Sequence, residues 1–494
     1  MEMRLCANLT ENIVALRAMV ENSSDFLNKS IHLAGHRCEL VFCEGMIGIG
    51  TLAELIVEPL REYRDAHIQG PEELFLTLGR TDFLAADQKV VLTREEVLQF
   101  AMSGFAVLLI DGCEKGLALG VQGFNFRSIS EPGNEQNMRG SREGFVEAAR
   151  INLTMIRRRM KSPHLKFEYM NLGSESKTDV FLVYMTDKVS AKVLAEIKER
   201  MGTIRLEAIL DSGYVTPFLD KKNASLFSGV GYTERPDTLC GKIMEGRVGI
   251  LVDGTPFVLV APYLFSENFQ SLDDYAQRPY YVTFIRCLKF LAFTISFLLP
   301  GGYVAVVTHH PELLHKELLV KIIEAQQGTP FPLMVEALII HIIFEIMREA
   351  GLRLPKSVGH AVSIVGALVI GDAAVSAGLI GTPMVLIVAL TAVSSFVVPN
   401  LYEPVTILKF AFILLGGFWG LYGIALGLLA LLLNLCSINT FGIPYTSPIS
   451  PFGKAAFRDV FVRASWTTLQ RGHSGIVQDL PGSSVQSDGG HGDA

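Results

Sequence analysis

Apolar and polar positions fall into two regimes along the chain. Up to about residue 280, charged side chains interrupt every apolar run; beyond it they almost vanish. Phe290–Thr308 holds no Asp, Glu, Lys or Arg over 19 residues, and Ser357–Gly371 holds none either. Ala373–Tyr402 follows with only Asp372 in between, and Phe410–Gly453 runs 44 residues without a charge. About 20 apolar residues cross a bilayer as a helix. The pattern predicts spans over about 286–308, 358–378, 382–399 and 410–436.

A fifth apolar segment, Leu333–Glu349, places His341, Glu345 and Arg348 at i, i+4 and i+7 on one helix face. Pro332 suits a first helical position, and Glu336 suits the first turn, where the helix dipole favours a carboxylate. The segment either lies at the interface or spans with its polar stripe toward water or other subunits. Basic residues cluster at Arg286 and Lys289, at Arg348, Arg353 and Lys356, and at Lys454, Arg458 and Arg463. The positive-inside rule puts all three clusters in the cytoplasm. Four spans satisfy it. Five leave the C-terminus outside unless 410–436 is a re-entrant pair, so four to six segments are expected, with a cytosolic N-terminal domain.

In the charged half, helical and strand-like stretches alternate. Helices are predicted over Leu9–Val20, Met46–Leu60, Arg142–Met160 and Ser190–Met201. Strands are predicted over 38–42, Phe167–Asn171, Asp179–Met185 and Leu206–Leu210. Two hairpins are expected: 105–111 with 116–121, and Val248–Val252 with Phe257–Ala261 about an Asp253-Gly254 turn. The fold class is therefore an α/β N-terminal domain of two subdomains, followed by an all-α transmembrane domain. The polar stretch near 125–140 suggests the subdomain boundary. The expected division is 1–130, 131–280, 281–453 for the membrane helices, and 454–494 for a cytosolic C-terminal segment. The last 24 residues are rich in Gly, Ser and Asp and are expected to be disordered.

Composition narrows the function classes. Of 494 residues, 49% are hydrophobic and 19% charged, the net charge is −7 and the mean hydropathy is +0.35. A basic nucleic-acid-binding surface is not expected. The cysteine count of 7 is odd, with no C-x-x-C pair, which favours reduced thiols and no zinc site. No phosphate loop, dinucleotide fingerprint, nucleophile elbow or H-E-x-x-H motif occurs. His309, His310 and His315 follow a predicted span and read as an interface feature rather than a metal site. No enzyme activity, cofactor or metal is expected.

Asp372 lies deep in a predicted span, where an acid costs several kcal/mol unless it meets water or a partner. It reads either as a pore-lining acid repeated by symmetry or as a protonated group bonded to a neighbouring helix. Glu336, His341, Glu345 and Arg348 are further pore or gate candidates, with a Glu345–Arg348 ion pair as the alternative. Gly416, Gly420, Gly423 and Gly427 repeat on one face of a single helix and read as helix packing. Arg157, Arg158 and Arg159 end a helix and read as a solvated C-terminus or a lipid or partner contact.

Two blocks carry a family pattern. SEPGNEQNMRGSREGFVEAARINLTMIRRRM at 130–160 resembles the RGPREGF block of the spore germination GerA family, A-subunit type. Arg139, Gly140, Arg142, Glu143, Gly144, Phe145, Glu147, Asn152, Arg157 and Arg159 match, and Ser141 departs from the usual Pro. The second block, 329–380, is similar to the family's PFP, REAGLRLP and GALVIG signature, with Asp372 where Gln is usual. LPGGYVAVVTHHPELL at 299–314 and GIPYTSPISPF at 442–452 also fit.

The resemblance implies a multi-pass protein of the inner spore membrane. It implies partnership with a transporter-like B subunit and a lipoprotein C subunit, and assembly into a homo-oligomer, a pentamer by analogy. Such a ring would form a nutrient-gated channel releasing monovalent cations. A stage V sporulation AF-like amplifying channel with another membrane partner is the alternative within the family, and a transporter with a regulatory cytosolic domain the alternative outside it. The SREGF motif at 141–145 is expected to pack subunits or subdomains.

Overall fold

The structure, a computed structural model, describes residues 4–61, 68, 70–80, 87–121, 131–133, 135, 140–220, 225–353, 371–451 and 459–465. Arg139, most of the expected 125–140 boundary and most of the 358–378 span lie outside the described residues.

The first sheet has five antiparallel strands: β1 (Phe26–Leu33), β2 (His36–Cys43), β3 (Gln88–Val91), β4 (Phe105–Ile110) and β5 (Gly116–Gly120), in the order β1-β2-β4-β5-β3. The second has β6 (Leu165–Leu172), β7 (Thr178–Met185), β8 (Gly231–Thr233), β9 (Val248–Val252) and β10 (Val258–Ala261), in the order β6-β7-β9-β10-β8. Both hairpins expected from sequence are formed, β4 with β5 and β9 with β10. The central strands are buried on both faces, so they read as unbroken apolar runs and not as an alternation.

The two sheets are one design used twice. Helix α1 (Leu9–Met19) precedes the first and α4 (Ala149–Arg159) the second. The capping contacts recur. Asn12 exchanges two hydrogen bonds with the Cys6 backbone, and Asn152 does the same with Val146, six residues back in each case. Asp111 accepts from the Leu9 N–H, and Asp253 accepts from the Ala149 N–H. Each aspartate follows a central strand and precedes a glycine at positive φ, Gly112 or Gly254.

That repeat explains one correction. The helix expected over Arg142–Met160 begins only at Ala149, because Asp253 and Asn152 cap it there while Phe145 pairs with the Glu234 carbonyl. Leu206–Leu210 is also not a strand. Its Leu206 and Glu207 carbonyls accept from the 174–176 turn instead of from a neighbouring strand.

Within the first unit, α2 (Pro71–Gly79) and the helical stretch from Ile49 to Arg61 cover one sheet face. Helices α1 and α3 (Arg94–Ala101) cover the other. In the second unit α5 (Ala191–Gly202) covers one face, while α4 and α6 (Pro236–Met244) cover the opposite one. The units are stitched together at Arg157. Its guanidinium, 2% exposed, meets Asp25 at 2.9 Å and the carbonyls of Ser162 and Leu165. The solvated reading of this helix end is thus corrected for Arg157.

The helical domain follows: α7 (Pro279–His309), α8 (Lys316–Gln327), α9 (Leu333–Arg353), α10 (Thr382–Val397) and α11 (Tyr402–Ser437). Among the described residues, two stretches are long and apolar enough to cross a membrane, Pro279–His309 and Pro399–Ser437. The second is not a single rod. Gly420 sits at φ 59° and ψ −145°, outside the helical region. The two arms fold back antiparallel: Gly427 packs on Phe412 and Leu415, and Leu431 and Leu435 join the cluster of Leu401, Val405 and Leu408. The single 410–436 span and the shared face of Gly416, Gly420, Gly423 and Gly427 are both corrected, because the break at Gly420 puts the glycines on opposed arms.

Gly416 and Gly301 bring the first arm and α7 into backbone contact. A side chain on Gly301 would overlap the Phe412 carbonyl. Helix α7 runs from Arg286 at the sheet-domain end to His309 at the remote end, where its ring nitrogen meets the Gly417 carbonyl at 2.8 Å.

Gly420→Ala should cost about 1–3 kcal/mol, since its backbone region is nearly glycine-only and a Cβ would stand 2.9 Å from that of His309. Gly302→Ala, with nothing within 4 Å, should be neutral. Thermal midpoints of the two variants in mild detergent check this; equal midpoints would contradict the turn.

Candidate functional site

The polar stripe of α9 faces the interior of one subunit. Near its start, Glu336 is 1% exposed. One carboxyl oxygen accepts the Gly381 N–H at 2.6 Å and the other has no partner. His341, also 1% exposed, turns Nδ1 to the Ala337 carbonyl at 2.8 Å, and its Nε2 is unpaired. One turn further, Glu345 does not pair with Arg348. It accepts from Lys409 Nζ at 2.5 Å and from the Tyr402 hydroxyl, both on α11. Arg348 instead lies over the rings of Tyr402 and Phe396. The expected i, i+3 pair loses to a cation that approaches from another helix.

Lys409 has no place among the residues singled out from sequence. It is the last charge before the 44-residue charge-free run, and that position was its only signal. It is 4% exposed, beside the Phe344 and Phe410 rings. Helix α10 adds the buried Thr391, Ser394 and Ser395; Thr391 and Ser395 bond back to their own helix.

Asp372 behaves differently. It is exposed and forms no hydrogen bond or ion pair among the described residues. The five candidates therefore separate into an inward-facing group of four and one outward-facing acid. His309, His310 and His315 do not form a metal cluster, and none of three or more ligands occurs among the described residues.

A second set of buried charges joins the sheets to the helices. Glu267, 2% exposed, accepts from Lys242 at 2.5 Å and from the Leu264 N–H, and lies 2.9 Å from the Arg247 guanidinium as an ion pair. Burial alone would raise its pKa, but the Arg247 and Lys242 charges outweigh it and hold the carboxyl below its usual range. Arg286 on α7 meets Asp274 at 2.7 Å and Asp459 at 2.9 Å. Asp459 belongs to the segment after the helical hairpin, so that segment returns to the start of α7.

The motif residues lie apart from both sets. Glu143 binds Arg158 at 2.5 Å and Arg159 at 2.6 Å, and these bonds outweigh burial to hold its pKa low. Arg142 pairs with Glu131. Phe145 and the neighbouring Gly144 are buried, Phe145 against α4 and the second sheet. Gly140 adopts φ 120°. The seven cysteines are free.

The profile of the family described as Bacillus/Clostridium GerA spore germination protein matches residues 14–474. The "Uncharacterized membrane protein YfkQ" of Bacillus subtilis is 39% identical over 94% of this chain and 90% of its own length. "Spore germination protein KA" of the same organism is 39% identical over 93% of this chain and 85% of its own. Among solved structures, the N-terminal domain of the A subunit of the Bacillus megaterium spore germinant receptor GerK3 is 28% identical. It covers 54% of this chain and 98% of that one, with a TM-score of 0.43.

Lys409→Met removes the ammonium that pairs with the Glu345 carboxylate and should destabilise by about 3–5 kcal/mol. Adding Glu345→Gln should recover most of that loss. Thermal midpoints of the two single variants and the double variant test the coupling; strictly additive losses would show that the pair does not form.

Proposed function

The chain belongs to the GerA family of spore germination proteins, and from that membership we propose that it is the A subunit of a germinant receptor and forms a cation channel from several copies. The family match across residues 14–474 carries the receptor reading. The channel reading rests on Asp372, an exposed acid in an otherwise apolar helical region. Such a group is costly against lipid and favourable where copies surround water.

The proposed membrane path has six crossings: α7, α9, the apolar stretch 358–378, α10 and the two arms of α11. An even number returns the C-terminal segment to the sheet-domain side, consistent with the Arg286–Asp459 pair. All three basic clusters then fall on one side, which the positive-inside rule makes cytosolic. B and C receptor subunits are the proposed partners, with the inner spore membrane as the site of action. The four inward-facing candidates, Glu336, His341, Glu345 and Arg348, hold the subunit together in this reading, and Asp372 faces the ions.

The test is monovalent-cation flux through the protein reconstituted with its receptor partners. Asp372→Asn should lower flux severalfold while leaving the assembly and its thermal midpoint unchanged. Unchanged flux and ion selectivity would remove Asp372 from the pore.

A further inference from the structure

The Gly420 turn ends in a cluster of outward-facing aromatic rings. Phe418 is 62% exposed, Trp419 60% and Tyr422 69%. The Trp419 indole N–H and the Tyr422 hydroxyl have no hydrogen-bond partner among the described residues. Between Glu403, exposed at the start of the first arm, and the end of the second arm, the large apolar side chains exposed away from the turn are Ile407, Leu414, Leu426, Leu429, Leu432 and Leu433. The first arm, Tyr402 to Trp419, is about 27 Å long at 1.5 Å per residue, close to the roughly 30 Å thickness of a bilayer's hydrocarbon core.

A second aromatic group lies at the opposite end of the helical domain. Tyr280, Tyr281 and Phe284 are exposed at the start of α7, while the hairpin turn abuts the end of α7 at His309. Rings with an apolar body and a polar edge favour the boundary between head groups and acyl chains, and two such belts bound a membrane-crossing segment. A re-entrant loop stopping in the hydrocarbon would leave the indole N–H and phenol O–H without partners, which lipid penalises.

We propose that the hairpin crosses the whole bilayer and that Trp419 and Tyr422 seat its tip in the phospholipid head-group region of the leaflet remote from the sheet domains. The partner is the glycerol and phosphate layer of the lipid, which accepts hydrogen bonds from both rings. This inference rests on the membrane reading above.

The chain has two tryptophans, Trp419 and Trp466, so Trp466→Phe leaves one probe at the tip. The full chain is placed in phosphatidylcholine vesicles whose acyl chains carry bromine either close to the head group or close to the chain end. A companion variant with Trp466→Phe, Trp419→Phe and Tyr281→Trp places the probe at the other belt. Flotation on a density gradient is read in parallel. Protein that floats, with both probes quenched at least about twofold more by the shallow bromines than by the deep ones, is the expected result. Floating protein whose Trp419 is quenched more by the deep bromines, or by neither, overturns the full crossing while leaving the membrane reading intact. Protein that does not float overturns the membrane reading, and this inference with it.

Discussion

A guanidinium removed from water needs its charge balanced in place, and Arg286 is fully buried where the sheets meet the helices. Asp274 comes from the linker after the second sheet, and Asp459 from the segment after the hairpin. The carbonyls of Asp459 and Val460 also accept from its guanidinium. Losing one partner of such a group costs about 3–5 kcal/mol, so the start of α7 and the linker before it are obliged to meet the distant segment after the hairpin. The return of the C-terminal segment fixes where the hairpin must end, and the hairpin in turn packs on α7 through Gly301 and Gly416.

The same economy of buried charge continues into the sheet domain. Glu267 holds Arg247 and Lys242 just ahead of Arg286, and Arg157 with Asp25 joins the two repeated units. Ser23 and Ser24 reinforce that joint by bonding the Phe167 backbone. Buried ion pairs thus mark the joint between the two units, the end of the second unit and the start of α7. In the proposed receptor, the Arg286 cluster is where the soluble domain would meet the helices.

Much of this was legible in the sequence, for identifiable reasons. The hairpins were visible because apolar strands flank short turns containing Asp-Gly. The helical domain was visible because charge disappears from it. Helix boundaries were less visible where the cap comes from far away, as Asp253 does for Ala149. The repeat was available in LLIDG at 108–112 and ILVDG at 250–254, but the strands around them differ in length and composition. The Gly420 break was hidden because glycine serves both packing and reversal in membrane helices, and hydropathy does not separate the two. Lys409 was hidden because its partner, Glu345, lies 64 residues away.

In the proposed channel, a subunit whose α9 stripe turns inward and whose Asp372 is exposed would conduct only through its contacts with copies of itself. The most direct measurement is the mass of the purified protein in mild detergent, with the bound detergent subtracted. A single discrete assembly at a whole multiple of 54.2 kDa, greater than one, is the predicted result. A clean monomer across the working concentration range would contradict a self-assembled channel.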